Sequence, residues 1–208
     1  MKKSFSKKEA ISYGWKTTKE NFKFLALTFI LFVASTTLPG ILADFFKNNN
    51  GAFFAFLINL AGWVLELTVS LGIIFIGLKI YENKKTYYKD LYAKINLFIP
   101  YLFGSIIYSV IVIAGFFLLI IPGIIWSLKF QYFSYAMVDK HLGSIDALKE
   151  SSRITRKVKI NLLLFNILLI LINVLGMLAL GIGLLLTVPT TLLANVYVYK
   201  HLSEYNRN

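Results

Sequence analysis

The sequence predicts an all-α integral membrane protein with six transmembrane helices as three hairpins, each preceded by an amphipathic interfacial helix. Three observations carry this. The chain is 57% hydrophobic and only 15% charged, and its apolar residues gather into runs of about 20 or more, the length a helix needs to cross a bilayer core. Its basic residues fall in alternate connections between those runs. One order of parts, a broken apolar run followed by a short basic amphipathic segment and a new apolar run, is clearest over residues 120–161 and recurs along the chain.

The charge distribution sets the orientation. Of the 22 Lys and Arg residues, seven precede the first run, five flank the second linker, six lie in the third and two at the C-terminal end; only Lys47 and Lys129 fall elsewhere. This asymmetry is what orients membrane helices, and it puts both termini in the cytoplasm. The same scatter excludes nucleic acid as the reason for a net charge of +12, since no single soluble face collects the charge. No cysteine is present, which removes disulfides, thiol catalysis and cysteine metal sites.

In chain order, Ser6 and Glu9 fit a capping box, and Ile11, Trp15, Thr18 and Phe22 recur at helical spacing, so residues 1–23 are expected to form an amphipathic helix with its lysines among anionic headgroups. A cleaved secretory signal is the competing reading, but the charged lead is long, the apolar run is about span length, and no clear small-x-small cleavage site precedes the next charge. Spans are expected at 24–43 and 52–78, with Pro39-Gly40 near the outer end of the first and an outer loop over 44–51, ringed by Phe45, Phe46, Phe53, Phe54 and Phe56. Residues 79–96, rich in Lys and Tyr, suit a second interfacial helix. The long run that follows divides into spans at 97–120 and 122–138, broken near Pro122-Gly123 because proline lacks a backbone donor and disfavours helix before it; a bend at Gly115 is an alternative. The third linker, 139–159, carries Ala147, Ser151, Ile154 and Val158 at helical spacing. Spans at 160–178 and 182–199, turning at Gly176, Gly181 and Gly183, complete the set.

An internal repeat underlies this order. Lys94-Ile95-Asn96-Leu97 and Lys159-Ile160-Asn161-Leu162 are identical, and Leu38-Pro39-Gly40-Ile41 parallels Ile121-Pro122-Gly123-Ile124. The first and third linkers align at Ala10/Ala147, Ile11/Leu148, Lys16/Arg153, Thr18/Thr155 and Lys19/Arg156, with a short gap before their asparagines.

Pro122-Gly123-Ile124, Trp126, the aromatics through Phe133, Asp139 and the Ala147-Leu148, Ser151, Thr155 pattern resemble bacterial six-span membrane proteins of unknown function. These are similar to the membrane domain of glycerophosphoryl diester phosphodiesterase and to the YciC-like inner-membrane proteins. The resemblance is strongest over 120–161 and implies a bacterial inner-membrane location. No soluble domain follows the last span in this sequence, so hydrolytic activity is not implied.

Glu66 and Lys129 are the only ionisable residues deep in the spans, at about 20 and 15 Å from the inner ends, and form a candidate intramembrane charge pair or polar site. Asn59, Gln131, Asn166, Asn173 and Asn195 are expected to hydrogen-bond between helices. Lys149, Arg153, Arg156 and Lys157 are candidate contacts for anionic lipid or a partner protein, although orientation alone accounts for their presence. His141 and His201 are isolated, and no phosphate loop, carboxylate cluster or nucleophile–base pairing is visible, so neither enzymatic activity, metal nor cofactor is expected. Two function classes follow. One is a non-enzymatic, phospholipid-engaging accessory to lipid or envelope homeostasis, alone, as a homo-oligomer or with a partner membrane protein. The other is a small transporter or an export or immunity component using Glu66 and Lys129.

Overall fold

The computed structural model describes residues 5–48, 51–179 and 181–205, and these are helical with no strand. The helices are α1 (Lys7–Glu20), α2 (Phe22–Asn48), α3 (Ala52–Tyr81), α4 (Phe98–Leu118), α5 (Ile120–Phe130), α6 (Phe133–Lys140), α7 (Ser144–Ile154), α8 (Lys159–Leu178) and α9 (Leu184–Tyr205). Four segments, Phe22–Lys47, Ala52–Tyr81, Tyr88–Leu118 and Lys159–Leu178, are long and apolar enough to cross a membrane. Helix α5 is short, and α9 is diluted by threonine, asparagine, lysine and histidine.

Helix α9 is the hub. It packs against α1, α2, α3 and α8, and Leu193, Ala194, Val196, Val198, Tyr199 and Leu202 along it are sealed from the surface. α2 packs along α3, α4 along α5, and α7 along α6. The principal core joins residues of α3, α6, α7, α8 and α9.

Helix α1 starts where the capping pattern predicts: the Ser6 hydroxyl accepts from the Glu9 N–H at 3.2 Å. Asn21 ends it, with both its backbone N–H and its side-chain amide donating to the Thr17 carbonyl. Its buried face, however, is Ala10, Gly14, Thr17 and Thr18, while Trp15 and Phe22 are exposed. The reason is proximity to α9: a Cβ on Gly14 would lie 2.3 Å from the Thr190 carbonyl oxygen. Two backbones that close select small residues, not large apolar ones.

The structure corrects the expected boundaries in four places. Of the expected outer loop over 44–51, residues 44–48 continue α2, since no glycine or proline lies between Asp44 and Asn48, and residues 49–50 lie outside the described residues; the phenylalanines still cluster there, with Phe46 and Phe54 rings 6.1 Å apart. Pro39 lies inside α2 and presses against Gly62 of α3, so Pro39-Gly40 and Pro122-Gly123 are not equivalent turning points. The break after α4 falls at Leu119, which is extended, and Pro122 sits in the first turn of α5, where its missing N–H has no helical acceptor to lose. The expected span 122–138 is two helices, α5 and α6, parted at Gln131-Tyr132.

A fifth correction concerns the second linker. It forms two short 3₁₀ turns, Tyr88–Leu91 and Ile95–Leu97, instead of an amphipathic α-helix. Asp90 accounts for this: its carboxylate accepts from the Tyr87 N–H at 2.8 Å and holds a local turn in competition with helix. By contrast α7 buries Ala147, Ser151 and Ile154, with Val158 following, as its spacing predicts. The turn between α8 and α9 contains Gly181 at φ 75°, a conformation that glycine adopts without steric cost.

Candidate functional site

The third linker separates its cations into two classes. Glu150 accepts from Arg153 through two bonds of 2.7 Å and from the Lys140 ammonium at 2.6 Å. The Arg153 hydrogen bond is the largest influence on Glu150, and with Lys140 it outweighs burial and holds the carboxyl down at about 2. Lys149 pairs with Asp146 at 3.4 Å on the exposed face of α7. Arg156 and Lys157 have no ion pair among the described residues, and both are exposed. The sequence explains it: after Glu150 the next acidic residue is Glu204.

These two cations sit at the turn where α7 ends and the apolar α8 begins. Lys157 adopts φ 72°, and Val158 then folds inward with 4% exposure. Arg156, Lys157 and Lys159 with Ile125, Ile160 and Asn161 line an open cavity of about 570 Å³. Ile160 is 77% exposed. Cations therefore adjoin an apolar surface at the entry to a long apolar helix.

At the same end of the helices, Lys200 of α9 joins two carboxylates, Asp139 and Glu82, each at 2.6 Å. Tyr199 donates to the other Asp139 oxygen at 2.9 Å. Burial alone would raise the Glu82 pKa, but hydrogen bonds from Lys200 and Lys84 prevail and lower it. Burial likewise opposes charge on Lys200, yet its two carboxylates raise its pKa. Lys79 pairs with Asp90 at 2.6 Å. Lys94 has no such partner among the described residues and lies 4.3 Å from the Phe75 ring centroid. Sequence reasoning took these lysines for orientation signals.

Glu66 and Lys129 make no ion pair with each other. Glu66 is exposed on α3; Lys129 is half-buried, its ammonium 4.8 Å from the Phe130 ring centroid. It is the Lys129 carbonyl that holds the fold, accepting from Ser151 of α7 and from Thr155, which caps that helix, both at 3.0 Å. Ser151 also accepts from the Tyr132 N–H at 3.1 Å. A helix break in an apolar setting needs such substitutes for its lost backbone bonds. The amide expectation holds for Asn166, which donates to Gln131 at 2.7 Å, and for Asn173, which reaches Thr191 at 3.3 Å. Asn59 donates to the Ala55 carbonyl of its own helix at 3.0 Å. Among the described residues no group of three or more His, Asp or Glu is placed to hold a metal ion.

The family described as Domain of unknown function (DUF7847) matches residues 54–203. The chain belongs to that family. No curated protein and no solved structure matches it. The DUF7847 match runs from α3 into α9 and contains Glu66, Lys129, the Lys200 cluster and all six third-linker cations, while α1 and α2 precede it. Thus α1 rests on α9, a helix within the family's stretch, through residues outside it. The four long apolar helices associate the protein with a membrane.

Proposed function

We propose that this protein is a six-span, non-enzymatic protein of the bacterial inner membrane, with both termini cytoplasmic, that engages anionic phospholipid headgroups at the α7–α8 turn. The observation that carries this is the pair of exposed cations, Arg156 and Lys157, without an acidic partner among the described residues and beside the exposed Ile160. In this reading α5 and α6 together make the fourth span and α9 the sixth, the latter shielded from lipid by its neighbours. The resemblance to YciC-like proteins over 120–161 agrees with it. A transport reading built on Glu66 and Lys129 has less support, because the two do not pair and Glu66 faces outward.

The test is native mass spectrometry of protein extracted from membranes containing phosphatidylglycerol. Each basic residue near an anionic surface contributes about 1 kcal/mol, so the double variant Arg156→Gln/Lys157→Gln should weaken retained anionic lipid by roughly thirtyfold. Lys149→Gln, which removes a cation already paired with Asp146, should change it little. Equal retention in all three proteins would reject the site. A reporter inserted at 49–50 should read outside and one after 205 inside.

A further inference from the structure

The arrangement of α2, α3, α6 and α9 leaves a cavity of about 270 Å³ that opens to the surface. We infer that it binds one acyl chain of a diacyl phospholipid from the leaflet at the basic end of the helices, with the Tyr135 hydroxyl directed to the ester region. The inference rests on the membrane reading above but uses a site separate from Arg156 and Lys157.

The walls select the occupant. Phe29 and Phe32 of α2, Ile73 and Ile76 of α3, and Val188 and Leu192 of α9 supply most of the surface. The polar residues among them are already satisfied. Thr28 donates to the Phe24 carbonyl at 2.7 Å, Thr191 to Val188 at 2.9 Å, and the Asn195 amide to Thr191 at 3.0 Å. A water or a polar solute needs two to four partners of its own, and these walls offer few. Left empty, the walls would forgo dispersion contacts that a hydrocarbon chain restores.

Tyr135 is the exception. It lines the cavity, and its hydroxyl has no hydrogen bond among the described residues, although its ring packs on Tyr132 and Tyr199. It lies four residues before Asp139, about 6 Å along the helix from the charged cluster. That is the depth at which a phospholipid carries its ester carbonyls, beneath its headgroup and above its chains. From there the cavity continues along α2 from Leu25 to Phe32, about 10 Å deeper. The lining residues thus follow one helix for two turns, as a chain requires. A transported ion or sugar would find one donor; an acyl ester finds one donor and a slot.

Photolabelling of the full-length protein tests it, in phosphatidylethanolamine–phosphatidylglycerol vesicles holding a trace of phosphatidylglycerol with a mid-chain diazirine. Adducts should concentrate on residues 25–32 and 188–195 above the level on the outward residues Leu164 and Ile170 of α8. Val188→Trp should reduce cavity adducts to that background while the α8 adducts persist, which also reports insertion. Leu192→Phe fills the same space more gently and should act in the same direction should Val188→Trp fail to insert. Tyr135→Phe should reduce cavity labelling about fivefold, the loss of one neutral hydrogen bond. Arg156→Gln/Lys157→Gln should leave the cavity adducts in place even where headgroup retention falls, so the two sites fail separately. Cavity labelling no richer than on α8, or unchanged when the space is filled, or abolished by the Arg156/Lys157 double variant, overturns the inference.

Discussion

Helices α1 and α7 are the same device used in two ways. Ala10 and Ala147, Gly14 and Ser151, Thr17 and Ile154, and Thr18 and Thr155 correspond in register, all are buried, and the N-caps Ser6 and Gly143 fall at the same alignment. Yet α1 rests on α9 by close backbone approach, and its Thr18 hydroxyl has no partner among the described residues. In α7 the corresponding Thr155 hydroxyl bonds Lys129, and Ser151 bonds both sides of the α5–α6 break. Glycine at the aligned position suits an intact helix neighbour; serine suits a broken one. The difference teaches that a repeated basic helix can serve as a backbone spacer or as a splint, according to one side chain.

The largest effect expected from breaking this comparison is at Gly14. Gly14→Val puts atoms where the Thr190 carbonyl already lies and should cost about 3 kcal/mol or more, undocking α1. Proteolysis within 7–20 by trypsin would check it; unchanged protection would mean α1 is not held there. Next comes Ser151→Ala, which leaves the Tyr132 N–H unpaired while Thr155 still serves Lys129, for about 2 kcal/mol by denaturant titration in detergent. The reciprocal Gly14→Ser should not rescue it, since α9 presents no break to bond.

Acid gives the smallest effect. Glu150 has a folded-state pKa below its unfolded value, so its contribution is whole above about pH 4.5 and is lost as pH falls through about 2. With Arg153 half exposed, that contribution is about 1 to 2 kcal/mol. The one ion pair of α1 among the described residues, Lys16–Glu20 at 4.0 Å, is exposed and weak. Pepsin should therefore open 140–158 as pH falls toward 2 sooner than it opens 7–20, and Glu150→Gln should remove the pH dependence at α7. Equal opening at both helices would show that Glu150 does not set the difference.

The helical class and most long segments were legible because they follow from run length and charge placement, which are local. The buried stripe of α7 was legible too, since its spacing fits only one face. Helix α1 misled because Ile11, Trp15 and Phe22 are more apolar than Ala10 and Gly14, and hydropathy does not register how close a neighbouring backbone comes. The break at Gln131-Tyr132 carries no glycine or proline; the residue that makes it tolerable, Ser151, is distant in sequence. The Lys200 cluster was hidden for the same reason, as its carboxylates come from α6 and the end of α3. Of the candidate site, the cations were visible, but which of them lack partners depends on how Glu150 is shared.

The central place of α9 has a consequence for the order of biogenesis. The Gly14 surface is made early and the Ala194 surface late, separated by roughly ten to forty seconds of translation. Throughout that interval α1 has no seat, and its small-residue face is available to the insertion machinery or to lipid. Helix α9, made after α1 to α8, closes the assembly, so an arrest before residue 184 should yield a chain with α1 unlatched.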